Sequence, residues 1–176
     1  GPERMNDTLA RTLDPALDLV LTRRTDLPVE QVWRAWTTPE LLVQWFTPKP
    51  WKTPECELDL YPGGRFYTLM ESPEGEQFPG ESCVLEVVEN RRFVWTSALL
   101  PGYRPKAQQP DVDGEEMFPF TAVIEMEPDG SGTRYTATAI HPDRESCRKH
   151  GEMGFETGWG AAFDQLVELM KSQARP

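Results

Sequence analysis

Residues 143–171, DRESCRKHGEMGFETGWGAAFDQLVELMK, constrain the fold more than any other part of the chain. From Phe155 the large apolar residues fall at Phe155, Trp159, Ala162, Phe163, Leu166, Leu169 and Met170. Steps of three and four place them on one stripe of a helix, with Glu156, Asp164, Gln165, Glu168 and Lys171 on the other face. Asp143 and Glu145 suit the positive end of the helix dipole, and Lys171 and Arg175 the negative end. At about 1.5 Å per residue the whole stretch as one helix runs to roughly 40 Å. Such a stripe must be buried against something.

Glycine interrupts the pattern at Gly151, Gly154, Gly158 and Gly160. Each costs about 1 kcal/mol against alanine inside a helix, a penalty accepted where a backbone comes close to a neighbour or where the helix bends. The spacing predicts a C-terminal helix that is weak or kinked near Gly151–Gly154 and unbroken from Phe155. Core packing is the simplest use of the stripe. Large rings separated by glycines also suit a hollow between helix and sheet.

The rest of the chain supplies the sheet. Leu17, Leu19 and Leu21 alternate with Asp18, Val20 and Thr22 as a first strand. Two short helices follow, one opened by Pro28 and carrying Val29, Val32, Trp33 and Trp36, the other by Thr38-Pro39. Strands are then predicted over 55–61, 65–72, 80–88, 92–98, 118–127 and 133–140, with turns at Pro62-Gly63-Gly64, Glu74-Gly75, Glu89-Asn90-Arg91 and Asp129-Gly130-Ser131-Gly132. Residues 101–117, PGYRPKAQQPDVDGEEM, read as a long polar loop. The order strand, two helices, about six antiparallel strands, long helix is α+β, with one curved sheet whose apolar face the terminal helix must cover. Gly1-Pro2 ahead of Met5 reads as a cloning or protease scar, residues 1–16 as a mobile leader, and 17–174 as a single domain.

A formal charge of −11 disfavours nucleic acid and anionic membranes as partners, because phosphate binding needs a basic surface. No run approaches the about 18 apolar residues of a membrane span. Cys56, Cys83 and Cys147 are too few and too scattered for a disulfide framework. Without an export signal they read as reduced thiols of a cytoplasmic protein. No nucleophile elbow, phosphate-binding glycine loop or zinc-protease helix occurs, so no cofactor is expected. His141, Cys147 and His150 are metal-ligand types close in sequence, but they do not make up a closed site, and no metal is expected either.

The segments LTRRTDLPVEQVWRAWTTPELLVQWF, YPGGRFY, GESCVLEVVENRRFVWTSAL, GTRYTATAIH and HGEMGFETGWGAAFDQL resemble the SRPBCC (START-like, helix-grip) superfamily. Within it they resemble the branch named after the activator of the heat-shock-protein-90 ATPase, which includes many bacterial single-domain members. The resemblance covers residues 17–172. It implies a helix-grip fold of six to seven strands around the long C-terminal helix, with an elongated hydrophobic cavity between them and the two short helices closing one end. The eukaryotic chaperone activators carry a further N-terminal domain, so chaperone activation does not follow from the resemblance.

Three functions follow as expectations. In the first, Trp36, Phe66, Met70, Trp95, Tyr103, Phe120, Phe155, Trp159 and Phe163 wall a pocket for a small hydrophobic or amphipathic molecule. In the second, the same pocket holds an enzyme of cyclase, dehydratase or hydrolase type, with His150 or Glu152 as the titratable group. In the third, a chaperone is the partner, which requires an exposed apolar patch outside the pocket.

Overall fold

Alternating buried and exposed side chains build one twisted antiparallel sheet, and the helical stripe lies across it. A computed structural model of the chain describes residues 13–107 and 118–173. In chain order the elements are β1 (Asp18–Thr25), α1 (Val29–Thr37), α2 (Pro39–Leu42), β2 (Lys52–Leu58), β3 (Arg65–Glu71), β4 (Gln77–Val88) and β5 (Arg92–Thr96). They continue with the short β6 (Leu99–Leu100) and β7 (Arg104–Pro105), then β8 (Thr121–Asp129), β9 (Gly132–Ile140), α3 (Arg144–Glu152) and α4 (Phe155–Gln173). Seven strands form one sheet in the order β1-β9-β8-β5-β4-β3-β2, and β6 pairs with β7 separately. This is the α+β helix-grip architecture that the resemblance implies.

The inner face of the sheet presents Leu21, Phe66, Val84, Phe93, Trp95, Ile124 and Tyr135, all buried. Phe155, Phe163, Leu166 and Met170 of α4 close over it. Each such side chain is worth about 1.5–3 kcal/mol when removed from water, so the stripe is the main reason α4 stays on the sheet. Polar groups tie its flank. The Gln165 amide Nε2 donates to the carbonyls of Trp45 and Thr47 at 3.0 and 2.8 Å, and Gln165 Oε1 accepts from Lys49 N at 3.0 Å. This joins α4 to the loop after α2.

Several boundaries differ from the sequence reading. The C-terminal stretch is two helices rather than one, because Gly154 adopts φ +93° and interrupts the backbone between α3 and α4. The weakness expected at 151–154 is therefore a full break, and α4 is unbroken from Phe155. Strand β2 runs earlier than expected and ends at Leu58, because Asp59–Gly64 forms a turn so tight that a Cβ at Gly64 would sit 2.1 Å from the Asp59 carbonyl oxygen. Strand β4 starts at Gln77 rather than Gly80, with Phe78 and Pro79 opposite Met70 and Leu69. Strand β8 starts at Thr121 rather than Phe118, because the Ser97 hydroxyl, not a backbone carbonyl, accepts from Phe120 N at 3.0 Å. The loop beginning at residue 101 opens within the β6–β7 turn, where Gly102 and Tyr103 take φ of +79° and +63°. Residues 1–12 of the expected leader, residues 108–117 of that loop and residues 174–176 lie outside the described residues.

The helix glycines do not carve a hollow. A Cβ at Gly160 would meet Arg23 Nη2 at 3.1 Å, and one at Gly158 would meet Pro48 Cγ at 3.9 Å. Neighbouring side chains thus fill the space that missing Cβ atoms leave. Gly158→Ala introduces an ordinary contact and regains helix propensity, so urea unfolding should show a gain of about 0.5–1 kcal/mol. Gly154→Ala forces a side chain into the left-handed region and should lose about 1 kcal/mol. Equal effects at the two positions would contradict the assigned backbone.

Candidate functional site

Two aromatic assemblies divide the space between sheet and helix. The first centres on Trp36 of α1. Its ring lies 4.8 Å from Trp45, 5.2 Å from Trp95 and 5.9 Å from Phe46, and Phe66 meets Trp95 at 4.9 Å. Edge-on contacts at these separations interlock large rings with little space between them. Two of its indole nitrogens are satisfied: Trp36 Nε1 donates to the Tyr135 hydroxyl at 3.2 Å and Trp45 Nε1 to the Ala35 carbonyl at 3.1 Å. Burial pushes the Tyr135 phenol above its ordinary pKa, and its ring stacks on Phe163 at 4.1 Å. At this end the elongated cavity implied by the resemblance is occupied by side chains.

The second assembly surrounds two histidines. His141 follows β9 directly and continues the inward parity of Tyr135, Ala137 and Ala139. Asp143 caps α3, its Oδ1 accepting from Ser146 N at 2.7 Å, and this bond holds its carboxyl below the usual range. The cap starts α3 in a register that buries Ser146, Cys147 and His150. His141 Nε2 and His150 Nδ1 meet at 2.8 Å, and His141 Nδ1 lies 2.7 Å from the Leu17 carbonyl oxygen. Four rings enclose His150: Phe118 and Phe120 each at 5.0 Å, Phe155 at 5.3 Å and Trp159 at 6.0 Å.

The hydrogen positions follow from chemistry. A carbonyl oxygen only accepts, so His141 Nδ1 carries a proton, and in an uncharged ring its Nε2 is then bare. His150 Nδ1 must donate to that bare nitrogen, which leaves His150 Nε2 bare in turn. Among the described residues nothing donates to it. Burial, with the neighbouring His141 second, pushes the His150 pKa down to about 4. The nitrogens that a metal would require are largely spent on each other and on Leu17. Among the described residues no group of three His, Cys, Asp or Glu side chains is placed to hold an ion.

The candidate wall residues thus separate. Phe120, Phe155 and Trp159 surround His150, while Trp36, Phe66 and Trp95 pack on one another and Phe163 on Tyr135. Met70 is half-buried on β3. Tyr103 is 51% exposed, its ring against the Gly63 turn and away from both assemblies. Glu152 is a correction to the candidate catalytic pair: it lies on the solvent face of α3 and pairs with Arg148 at 2.6 Å, so it faces no interior site. Cys56 offers no nucleophile either, since burial, then the Glu40 and Glu57 carboxylates, push its thiol up to about 12. Sequence reasoning weighed His141 only as a metal-ligand type and did not place Phe118 in the site. The period of two along β9 carries the signal for His141. The open grooves include one beside Arg23 and Gly160 and another on the outer sheet face at Glu125 and Arg134. Both are polar and superficial.

The family model described as Activator of Hsp90 ATPase homolog 1-like protein matches residues 26–171, from just before α1 into the last turn of α4. The chain belongs to this family. A solved member-like structure from Nitrosomonas europaea shares 48% identity over 92% of this chain and 98% of its own, with a TM-score of 0.84. A protein from Arthrobacter aurescens, 23% identical over 91% of this chain and 89% of its own, superposes with a TM-score of 0.73. An AHSA1 protein from Silicibacter pomeroyi, 20% identical over 89% and 99%, superposes with a TM-score of 0.63. These last two share the fold. No curated protein matches the chain. Among the described residues no helix is long and apolar enough to cross a membrane.

A buried neutral histidine leaves a mark on stability. Between pH about 6.5 and about 4 the unfolded chain takes up a proton at His150 that the folded chain refuses. Stability therefore falls across that window, is unaffected above it and carries a constant penalty below it. Measured against His150→Phe, which lacks this proton, the native protein should lose on the order of 2 kcal/mol on going from neutral pH to the lower end of the window. Parallel pH curves for the two proteins would contradict a buried neutral His150.

Proposed function

We propose that the protein binds a small hydrophobic or amphipathic molecule at the end of the sheet–helix interface occupied by His141 and His150. The observation that supports this reading is the buried His150 ring, whose Nε2 has no hydrogen-bond partner among the described residues, with Phe118, Phe120, Phe155 and Trp159 around it. An apolar wall with one unsatisfied polar atom is the usual composition of a small-molecule site. Phe120 and Trp159 are only partly buried, so this end is the less tightly closed of the two assemblies. A ligand gains entry by displacing these half-buried rings, at less cost than opening the interlocked cluster around Trp36. Family membership supports the same reading, since helix-grip proteins often bind hydrophobic molecules between sheet and helix.

The enzymatic reading retains one titratable group, His150, because Glu152 faces solvent. A base whose pKa is pushed down to about 4 is poorly matched to proton abstraction at neutral pH, which favours binding over catalysis. The chaperone reading has one surface feature in its favour, the exposed stack of Trp51 on Phe78 at 5.7 Å. Two rings make a small patch compared with the several hundred Å² typical of protein-binding surfaces.

Amide NMR during titration with ethylbenzene and para-ethylphenol tests the proposal. Saturable shifts confined to the neighbourhood of Phe120, His141, His150, Phe155 and Trp159 are the expected result. Absence of saturable shifts with either compound, or shifts centred on Trp36 and Trp95, would contradict it.

A further inference from the structure

The tautomer chain reaching from the β1 backbone to the aromatic enclosure specifies more than a place for apolar atoms. Leu17 immediately precedes β1, and its carbonyl accepts both from His141 N at 3.2 Å and from the His141 ring at 2.7 Å. The antiparallel pairing of Asp18 with Ile140 holds Leu17 beside His141, so the sheet itself fixes the first proton of the chain. With both rings uncharged, each passes the constraint outward: a protonated Nδ1 leaves a bare Nε2, and a bare Nε2 facing the next ring takes a donor from it. The end of that chain is a histidine nitrogen that offers a lone pair and no proton. A single imidazole with free partners can rotate its tautomer to suit either a donor or an acceptor. In the uncharged pair His150 cannot, because reversing it alone would set two bare nitrogens against each other at 2.8 Å.

We propose that this site selects molecules whose polar end is an un-ionised hydrogen-bond donor, such as a phenol or an alcohol, attached to an aromatic or aliphatic body. The inference rests on the binding reading given above. Carboxylates and phosphates bring only lone pairs to a lone pair, and their charge is unwelcome in a protein of net charge −11. Ketones, esters and ethers lack the proton and leave the histidine nitrogen without a hydrogen-bond partner. Ammonium ions carry a desolvation cost into an enclosure whose electrostatic neighbour at His150 is another imidazole and not a carboxylate. A hydroxyl satisfies the nitrogen, and the four rings accept the rest of the molecule by burial.

The discriminating experiment compares para-ethylphenol, its methyl ether and ethylbenzene by calorimetric titration of the full chain near neutral pH. The phenol should bind at least about tenfold more tightly than the ether, because only the phenol brings a proton to the histidine nitrogen. In His150→Phe the advantage of the phenol over the ether should disappear. Equal binding of phenol and ether by the native protein, or a preference for the ether, overturns the donor rule and leaves apolar binding standing. Failure of all three to bind removes the binding reading and the donor rule together. Nitrogen NMR of the native histidine rings gives a check that does not depend on the variant folding. It should find Nδ1 protonated and Nε2 bare in both rings, and a protonated Nε2 on His150 overturns the assignment.

Discussion

The burial of one helical stripe against the inner face of a seven-stranded sheet is the constraint on which everything else in this molecule depends. Neither surface is stable in water alone. The stripe from Phe155 to Met170 and the inner sheet face cover one another, with Trp33 and Trp36 of α1 packed beside them on Phe93. Once α4 lies along β1 with Phe163 stacked on Tyr135 of β9, the positions of the remaining parts are largely dictated. The loop after α2 is held by Gln165, the α1 tryptophans plug one end, and α3 must fold back from Gly154 at the other.

The two ends of that interface use aromatic residues differently. Around Trp36 the rings interlock, and the Trp36 and Trp45 indole nitrogens have internal acceptors. Around His150 the rings surround a nitrogen that has no partner among the described residues. Apolar residues of similar shape would pack this end without leaving a polar atom to be satisfied. The presence of the two histidines at the half-buried end, together with an anchored tautomer, is what turns packing into recognition. The same physics explains why the low His150 pKa accompanies the site: an environment that refuses the proton also keeps the acceptor uncharged.

Most of the architecture was readable from periodicity. The stripe, the break at 151–154, the hairpins at Asn90 and Gly130 and the inward parity of Phe66 and Trp95 all follow from local chemistry. Boundaries failed where a local rule was overruled by a partner elsewhere. Pro79 hides the start of β4, and the Ser97 side chain takes over a bond at Phe120 that a strand would give to backbone. The site was legible only in fragments. His150 is legible as one of the metal-ligand types close to the stripe and lies in the last turn of α3, and the Glu145–Arg148–Glu152 spacing already contains the ion pairs that keep Glu152 in solvent. His141 required following β9 one residue beyond its end. That Trp36, Phe66 and Trp95 fill their space rather than line it depends on ring angles set by six side chains from five elements, and no one-dimensional pattern encodes that. The family assignment carries the fold without adding to this, because proteins sharing a sheet and a helix need not share the contents of the gap between them.

Fluorotryptophan incorporation read by fluorine NMR tests the central claim most directly, since Trp36, Trp45 and Trp95 report one end of the interface and Trp159 the other. On saturation with a small phenol the account predicts a displaced Trp159 resonance, with the three resonances of the interlocked cluster unmoved. Displacement of Trp36 or Trp95 with Trp159 unchanged would contradict it.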